Sequence, residues 1–297
     1  MSININRFYK DYDFEITGAS YIGKPKSNTV MYITKKVESL INNLIEVKDC
    51  LVFAETGINV PTTISKKNVI IITDNPSNDY VSFINIFYEE KLEKEKNAKY
   101  IRQNDSLIES NAIIGKNCII EPGCIIGCNV VIRDNVLIKS GAILRDCEIG
   151  NNSIINEHAI IGAFSFTMTD DLNGNKIRIP SLGRIVIGHD VEIGTFDNIS
   201  VSSAEETIIG DYTKLDTHVH VSHDVKIGKN VEIAAGTMIG GFATIGDKTF
   251  IGLNSTIRNR ITIGDNCFIS MGSIVEKDVN PNSIVMASAS KHFERRS

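Results

Sequence analysis

The chain of 297 residues contains no tryptophan, only six prolines and no apolar run near 20 residues in length. The missing run argues against a transmembrane helix, and the polar first residues lack the apolar core of a secretion signal, so we expect a cytoplasmic protein. The chain also lacks a basic cluster, and its net charge is −5. A chain with this charge should attract neither nucleic acid nor an anionic membrane strongly.

The six cysteines form no CxxC pair, and their spacing matches neither a disulfide framework nor a zinc-ligand pattern. They are Cys50, Cys118, Cys124, Cys128, Cys147 and Cys267. We therefore expect no cysteine-bound metal. We also expect no metal among the assigned site residues and no permanently bound cofactor. Apolar residues make up 42% and charged residues 23% of the chain, as in a soluble folded protein with one large domain or two.

A six-residue repeat begins near residue 106. In its longest run an aliphatic marker recurs twelve times without error, at Ile209, Leu215, Val221, Ile227, Ile233, Ile239, Ile245, Ile251, Ile257, Ile263, Ile269 and Val275. A smaller residue usually stands two positions before each marker, which is the alternation of a strand. Gly, Asn and Asp cluster after the marker, and these residues tolerate the positive φ of a tight corner.

This spacing is wrong for a helix, which needs apolar residues three and four apart, and too short for a hairpin sheet. It predicts a triangular solenoid with about three hexads per coil. The pattern resembles the hexapeptide-repeat family, and the resemblance implies a left-handed parallel β-helix. Four cysteines stand in the small inward column, where we expect them to pack: Cys118, Cys124, Cys147 and Cys267.

The N-terminal region has a different pattern, which predicts a small α/β domain over residues 1–100. The predicted strands are 13–18, 29–34, 50–55 and 68–73, and the predicted helices are 36–47 and 78–96. The β-helix is expected over 101–279, followed by a short C-terminal cap, with one helical turn, over 280–297. Residues 163–184 interrupt the repeat and are expected to project from the coil as a loop.

The densest polar cluster is LDTHVHVSHDVKIG, residues 215–228, which holds His218, His220 and His223. In the hexad frame His220 and His223 point outward. Three roles remain open for the cluster: a general base near neutral pH, zinc ligands as in the hexapeptide-repeat carbonic anhydrases, or solvated surface residues.

Residues 18 apart should occupy the same place on successive coils, about 4.8 Å apart. Gly241 follows His223 by 18, and Arg260 follows Gly241 by 19, one residue off that column. A base, an approachable glycine N–H and a cation along one edge suit acyl transfer. Positive φ at a corner is an alternative reason for the glycine.

Residues 183–275 resemble the bacterial UDP-3-O-acylglucosamine N-acyltransferases of lipid A biosynthesis. The motifs are GRIVIGHDVEIGTFDNI, TIIGDYTKLDTHVHVSHDVKIGKN and IAAGTMIGGFATIGDKTFIG. The resemblance implies transfer of an acyl group from a thioester to the amine of a nucleotide-linked amino sugar, for lipid A or another cell-surface glycan. It also implies a homotrimer with active sites between subunits.

Carried over by motif, the resemblance assigns His223 as general base, Gly241 as the oxyanion-facing amide and Asp216 as a sugar contact. Arg260 stands where the family has a second functional histidine. Arginine is no base at neutral pH, but it can hold a phosphate of the donor.

Two departures from the family bear on the substrates. In VMYITKKV, residues 30–37, Met31, Thr34 and Val37 replace the residues that bind uracil, and Tyr32 remains as a possible stacking ring. The nucleotide can therefore be UDP or dTDP, held at Tyr32 and Thr34. The family's long C-terminal helices, which contact acyl carrier protein, are largely missing, which favours acyl-CoA as the donor.

Two rival functions remain open. One is a zinc-dependent lyase or hydrolase that uses His218, His220 and His223. The other is a non-catalytic solenoid scaffold. Outward Ile113, Ile119 and Ile125 are expected to form a flat apolar face that needs a covering surface, as in a trimer.

Overall fold

The computed structural model describes residues 2–202 and 204–288. The described chain divides into two compact units, of which the first comprises 2–97, 166–183 and 204–205, and the second the rest. Segment 166–183, expected as a projecting loop, belongs to the first unit and contains a hairpin. Much of the predicted cap, and any helical turn over 289–297, lies outside the described residues.

The first unit is built on a four-stranded parallel sheet, with strands Gly18–Ala19, Thr29–Ile33, Leu51–Glu55 and Val69–Thr73 in that order. Its other elements are the antiparallel pair Ile3–Asn4 and Glu15–Ile16, the hairpin strands Met168–Asp170 and Lys176–Arg178, the 3₁₀ segments Ile5–Arg7 and Lys35–Glu46, and the helices Thr62–Ser65 and Pro76–Lys96. The α/β prediction is therefore confirmed.

The two predicted helices of this unit differ in outcome. Helix Pro76–Lys96 buries Tyr80, Ile84 and Phe87, the predicted stripe. The segment predicted as a helix over 36–47 is instead a 3₁₀ segment, interrupted at Val37, whose φ of −127° is not helical. No helix in residues 2–202 or 204–288 is both long and apolar enough to cross a bilayer.

The second unit is a left-handed parallel β-helix with three faces, as predicted. Face A consists of Tyr100–Gln103, Ser106–Glu109, Ile125–Ile126, Ile143–Leu144, Ile160–Ala163, Asn198–Ser200, His220–Val221, Met238–Ile239, Thr256–Ile257 and Ile274–Val275. Face B consists of Ile113–Ile114, Val131–Ile132, Cys147–Ile149, Arg184–Ile187, Glu206–Ile209, Lys226–Ile227, Thr244–Ile245 and Thr262–Ile263. Face C consists of Ile119–Ile120, Leu137–Ile138, Ile154–Ile155, Glu192–Ile193, Lys214–Leu215, Glu232–Ile233, Phe250–Ile251, Phe268–Ile269 and Ile284–Val285.

Each turn of the coil visits faces A, B and C in order, so uninterrupted coils pair residues 18 apart, for example Thr244 with Thr262. This spacing corrects one expectation. Ile113, Ile119 and Ile125 are six apart and therefore lie on faces B, C and A respectively. They do not form one apolar face, so they give no support for a trimer.

The inward positions form the core of the β-helix. The aliphatic markers are almost fully buried, and Cys124, Cys147 and Cys267 pack beside them, while Cys118 is only partly buried. Burial raises the pKa of the Cys147 thiol. A thiol that stays protonated is unreactive, which agrees with a packing role for this cysteine. Inward hydroxyls join successive coils: Thr213 Oγ1 accepts from the Val231 N–H at 3.2 Å and donates to the Gly228 carbonyl at 2.9 Å. These bonds satisfy the buried polar groups.

In one coil Asp197 occupies the inward position two residues before the marker, where many other coils have a small or hydroxyl residue. Its Oδ1 accepts the Val219 N–H at 2.7 Å and its Oδ2 the Gly194 N–H at 2.8 Å, and the residue is fully buried. Burial raises the pKa of this carboxyl from 3.8 to about 7, against the two backbone hydrogen bonds that favour its charged form. In the unfolded chain the group titrates near its ordinary value, so this group's ionisation costs stability as pH rises from about 4 to about 7.

We therefore expect Asp197→Thr, which places here the hydroxyl that Thr237 has two coils further along the same inward column, to raise the free energy of unfolding at pH 7.5 by roughly 1–4 kcal/mol. The gain should shrink as the pH falls below about 7 and be nearly lost below about pH 4, where the carboxyl becomes protonated in the unfolded as well as the folded state. Chemical denaturation of both proteins from about pH 3 to about pH 7.5 measures it, with the exposed Asp74→Asn as a control. A pH-independent difference between Asp197→Thr and wild type would contradict the prediction.

Candidate functional site

The corner from face A to face B carries the residues singled out from the repeat. His223 and Asp224 form this A–B corner after strand His220–Val221. Gly241 and Phe242 form it on the next coil. In the two preceding coils the chain leaves the repeat at this same corner, after Ala163 and after Ser200. His223 thus occupies the first short A–B turn after the interruptions.

The His223 imidazole is held by its neighbour in sequence. Its Nδ1 lies 2.9 Å from Asp224 Oδ2, and the two side chains are 13% and 4% exposed. An ionised carboxylate only accepts hydrogen bonds, so beside ionised Asp224 the Nδ1 carries the proton and Nε2 is the basic nitrogen of the ring. The Asp224 N–H in turn donates to Thr207 Oγ1 at 3.0 Å. The SHD tripeptide therefore pairs an imidazole with a carboxylate that orients it, a contact of Asp224 that sequence reasoning missed.

Gly241 lies directly against this imidazole, as the 18-residue spacing predicts. A Cβ at this position would lie 2.7 Å from both Cε1 and Nε2 of His223. Gly241 has no positive φ, and the left-handed residue of this turn is Phe242, with φ 62°. Positive φ is therefore the wrong explanation for the glycine. A glycine is needed because the His223 ring leaves no room for a Cβ. Within the described part of the chain, the Gly241 N–H donates to no acceptor.

Arg260 lies at the A–B corner one coil further on, and its N–H donates to the Gly241 carbonyl at 3.0 Å. Its guanidinium carbon lies 4.3 Å from the centroid of the Phe242 ring. Phe242 in turn meets His223 at 90°, with 5.2 Å between ring centroids. The structure thus brings His223, Gly241 and Arg260 together and adds Phe242, which sequence reasoning did not select.

The three clustered histidines do not converge on one point. His218 is exposed at the C–A corner, where its Nδ1 lies 2.8 Å from Thr217 Oγ1, and His220 is half-buried on face A. Burial, followed by the charge of His223, lowers the pKa of His220. Among the described residues, no three His, Cys, Asp or Glu side chains are placed to hold a metal ion. His218, His220 and His223 therefore do not form a zinc site within the described part of one chain.

Asp216 lies at the C–A corner and not at the corner of His223. Its exposed carboxylate accepts the N–H groups of Thr217 at 2.8 Å and Ala235 at 3.3 Å. It borders an open cleft of about 600 Å³ on face C that Lys214 and Glu232 also line. Strand His220–Val221 of face A separates Asp216 from His223 within one chain.

The candidate nucleotide contacts belong to the first unit. Thr34 directly follows strand Thr29–Ile33, at the carboxyl edge of the parallel sheet, where ligands commonly bind in such folds. The Lys35 N–H beside it donates to Glu55 Oε2 at 2.8 Å. The Tyr32 ring packs on Tyr80, with 5.0 Å between centroids, and so faces the core rather than an open surface. Thr34 is the better placed of the two.

Three family models match successive parts of the chain. Residues 206–241 match bacterial transferase hexapeptide repeats, and residues 243–277 match the hexapeptide repeat of succinyl-transferase. Residues 102–204 match the GMPPB C-terminal domain. Hexapeptide-repeat models thus match two successive segments of the second unit, where the structure has the regular coils.

Among curated proteins, the chain is similar to UDP-3-O-acylglucosamine N-acyltransferases. The enzyme of Bordetella pertussis is 39% identical over 107 residues, which are 35% of this chain and 30% of that protein. The enzyme of Coxiella burnetii is 40% identical over 93 residues, which are 31% of this chain and 27% of that protein. The matched segment thus spans about a third of these relatives. The similarity confirms the resemblance drawn from the sequence.

Solved structures give the same picture. A UDP-N-acetylglucosamine acyltransferase from Campylobacter jejuni matches with a TM-score of 0.56 and 26% identity, over 61% of this chain and 69% of that one. The corresponding enzyme from Bacteroides fragilis matches with a TM-score of 0.54 and 28% identity, over 62% and 70%. These neighbours share the left-handed β-helix with the second unit.

Proposed function

We propose that this protein is an acyltransferase that moves an acyl group from a thioester to the amine of a nucleotide-linked amino sugar. The observation that carries the proposal is the A–B corner, where an imidazole with an oriented Nδ1 lies against a glycine whose N–H is available. The similarity to acyltransferases that act on UDP-sugars supports the same chemistry.

In this reaction the sugar amine attacks the thioester carbonyl carbon, and a C–N bond forms. His223 Nε2 takes the proton from the amine, and Asp224 stabilises the resulting imidazolium through Nδ1. The Gly241 N–H donates to the tetrahedral oxyanion. When the C–S bond breaks, the imidazolium returns the proton to the leaving thiolate, so amide and free thiol are the products.

Asp216 would contact the sugar or its amine. Because face A separates it from His223 in one chain, the two groups cannot act from a single corner. The homotrimer expected from the resemblance would let the Asp216 corner of one copy approach the His223 corner of the next. The acceptor would then bind between copies.

The remaining substrate features follow the resemblance. The first unit would hold the nucleotide, UDP or dTDP, at the edge marked by Thr34. The donor would be acyl-CoA or an acyl carrier protein thioester, used as a co-substrate in the cytoplasm. The product would serve lipid A or another cell-surface glycan.

Binding and turnover of defined substrates test this function. We expect a UDP- or dTDP-linked amino sugar to raise the Tm, since a ligand at a hundred times its Kd adds about 2.7 kcal/mol to the free energy of unfolding. We also expect free thiol to appear only when acyl-CoA and the amino sugar are both present; acyl carrier protein thioesters form a second arm. No Tm shift with any nucleotide sugar, together with no thiol release, would favour the scaffold.

A further inference from the structure

Phe242 is an unusual residue for its backbone. Its φ of 62° lies in the left-handed region, which bulky side chains rarely occupy. Most other left-handed corners of the coil use Asn, Asp or Gly. A strained conformation persists only where the surroundings hold it, and such residues cluster at functional sites. The reason for this phenylalanine therefore has to be sought in what its ring contacts.

The ring lies between the candidate base and a cation. His223 meets it at right angles at 5.2 Å, and the Arg260 guanidinium carbon lies 4.3 Å from its centroid. The backbone links the same three coils, because the Phe242 N–H donates to the His223 carbonyl and the Arg260 N–H to the Gly241 carbonyl, both at 3.0 Å. A guanidinium at this distance from a ring centroid makes a favourable cation–π contact.

The imidazole is thereby fixed by three neighbours. Asp224 holds Nδ1, Gly241 lies against Cε1 and Nε2, and Phe242 makes the edge contact. The Phe242 edge contact restricts the tilt of the imidazole about the axis of the Nδ1 hydrogen bond. The cation–π contact with Arg260 in turn restrains the Phe242 ring.

We propose that Phe242 is a positioning residue for His223, and that Arg260 serves the reaction by holding Phe242 in place rather than by binding a phosphate of the donor. The proposal rests on the proposed acyl transfer. It predicts that loss of either side chain lowers kcat, because a misplaced base reacts slowly even in a saturated complex. Binding of the acyl thioester stays intact.

The kinetic test uses Phe242→Leu, Arg260→Ala and the double variant. Each single change should lower kcat about 10- to 100-fold with the KM for acyl-CoA within about twofold, and the double variant should be no slower than Phe242→Leu, since coupled residues are not additive. Arg258→Ala is the matched control: this exposed arginine stands on the same coil and should keep wild-type kcat. A raised KM for acyl-CoA at unchanged kcat in Arg260→Ala would overturn the proposal.

A spectroscopic measurement decides the positioning without relying on activity. In protein with ¹³C-labelled histidine, the Cε1–H resonance of His223, assigned with His223→Gln, reports the ring current of Phe242. Arg260→Ala should move this resonance in the direction of its position in Phe242→Leu. If Arg260→Ala leaves it unmoved, Arg260 does not hold the ring and the proposal fails. If wild type turns over no substrate, the proposed function fails instead, and the resonance still settles the ring's position.

Discussion

Replacing His223 by alanine is expected to lower kcat for acyl transfer by about 10² to 10⁴ while the fold stays intact. The amine of the acceptor must lose a proton as it attacks, and His223 Nε2 is the base available at the A–B corner. The imidazole lies outside the inward core of the coil, so the far-UV circular dichroism spectrum should change little. The Tm should fall, because the buried Asp224 carboxylate loses its contact with Nδ1. Steady-state thiol release with saturating substrates measures kcat.

The control for this change is His189→Ala. His189 is an exposed histidine at the B–C corner, where its Nδ1 accepts the Asn151 N–H at 2.9 Å. It should keep kcat within about twofold, as a surface change away from the chemistry usually does. A purified His223→Ala protein that transfers acyl groups at the wild-type rate would show that the base has been assigned wrongly.

The sequence predicts the β-helix well because its period is regular. In a coil of three hexads, the sum 223 + 18 fixes Gly241 as the next residue in the column of His223, and the structure places it there. Local strand and helix patterns also sufficed for most of the first unit. The conformation of the interruptions could not be predicted from the repeat, because residues 166–183 belong to the first unit and their contacts there do not follow the six-residue period.

The errors have equally specific causes. A shared face for Ile113, Ile119 and Ile125 is the wrong expectation, because a spacing of six moves a residue to the next face. The same frame already separates Asp216 from His223: one directly follows its marker Leu215, and the other follows the next marker, so they belong to successive corners. Both conclusions were available from the hexad arithmetic.

The side-chain geometry within the site could not be predicted from the sequence. The Asp224 carboxylate meets His223 Nδ1 only because the corner turns both side chains to the same side. The position of Phe242 between His223 and Arg260 depends on a left-handed φ that its residue type does not predict. The role of Gly241 was likewise ambiguous until its φ and its distance to the imidazole were known.

Gly241→Ala is expected to lower kcat by about 10² to 10³, because displacing the imidazole removes most of the rate enhancement of a positioned base. The added Cβ would lie 2.7 Å from Cε1 and Nε2 of His223, so the ring must move away from the amide it works beside. Because the backbone of Gly241 is not left-handed, alanine fits it without strain, and the change acts through the imidazole alone.

The matched control is Gly18→Ala, where an added Cβ meets nothing within 4 Å and φ is not positive. It should leave kcat and the Tm unchanged, which shows that a glycine-to-alanine change is harmless where space allows. The separation between imidazole and amide can be followed in the Gly241→Ala protein through the His223 Cε1–H resonance, which should shift. Wild-type kcat in a Gly241→Ala protein whose His223 resonance has moved would mean that acyl transfer does not depend on the position of this imidazole.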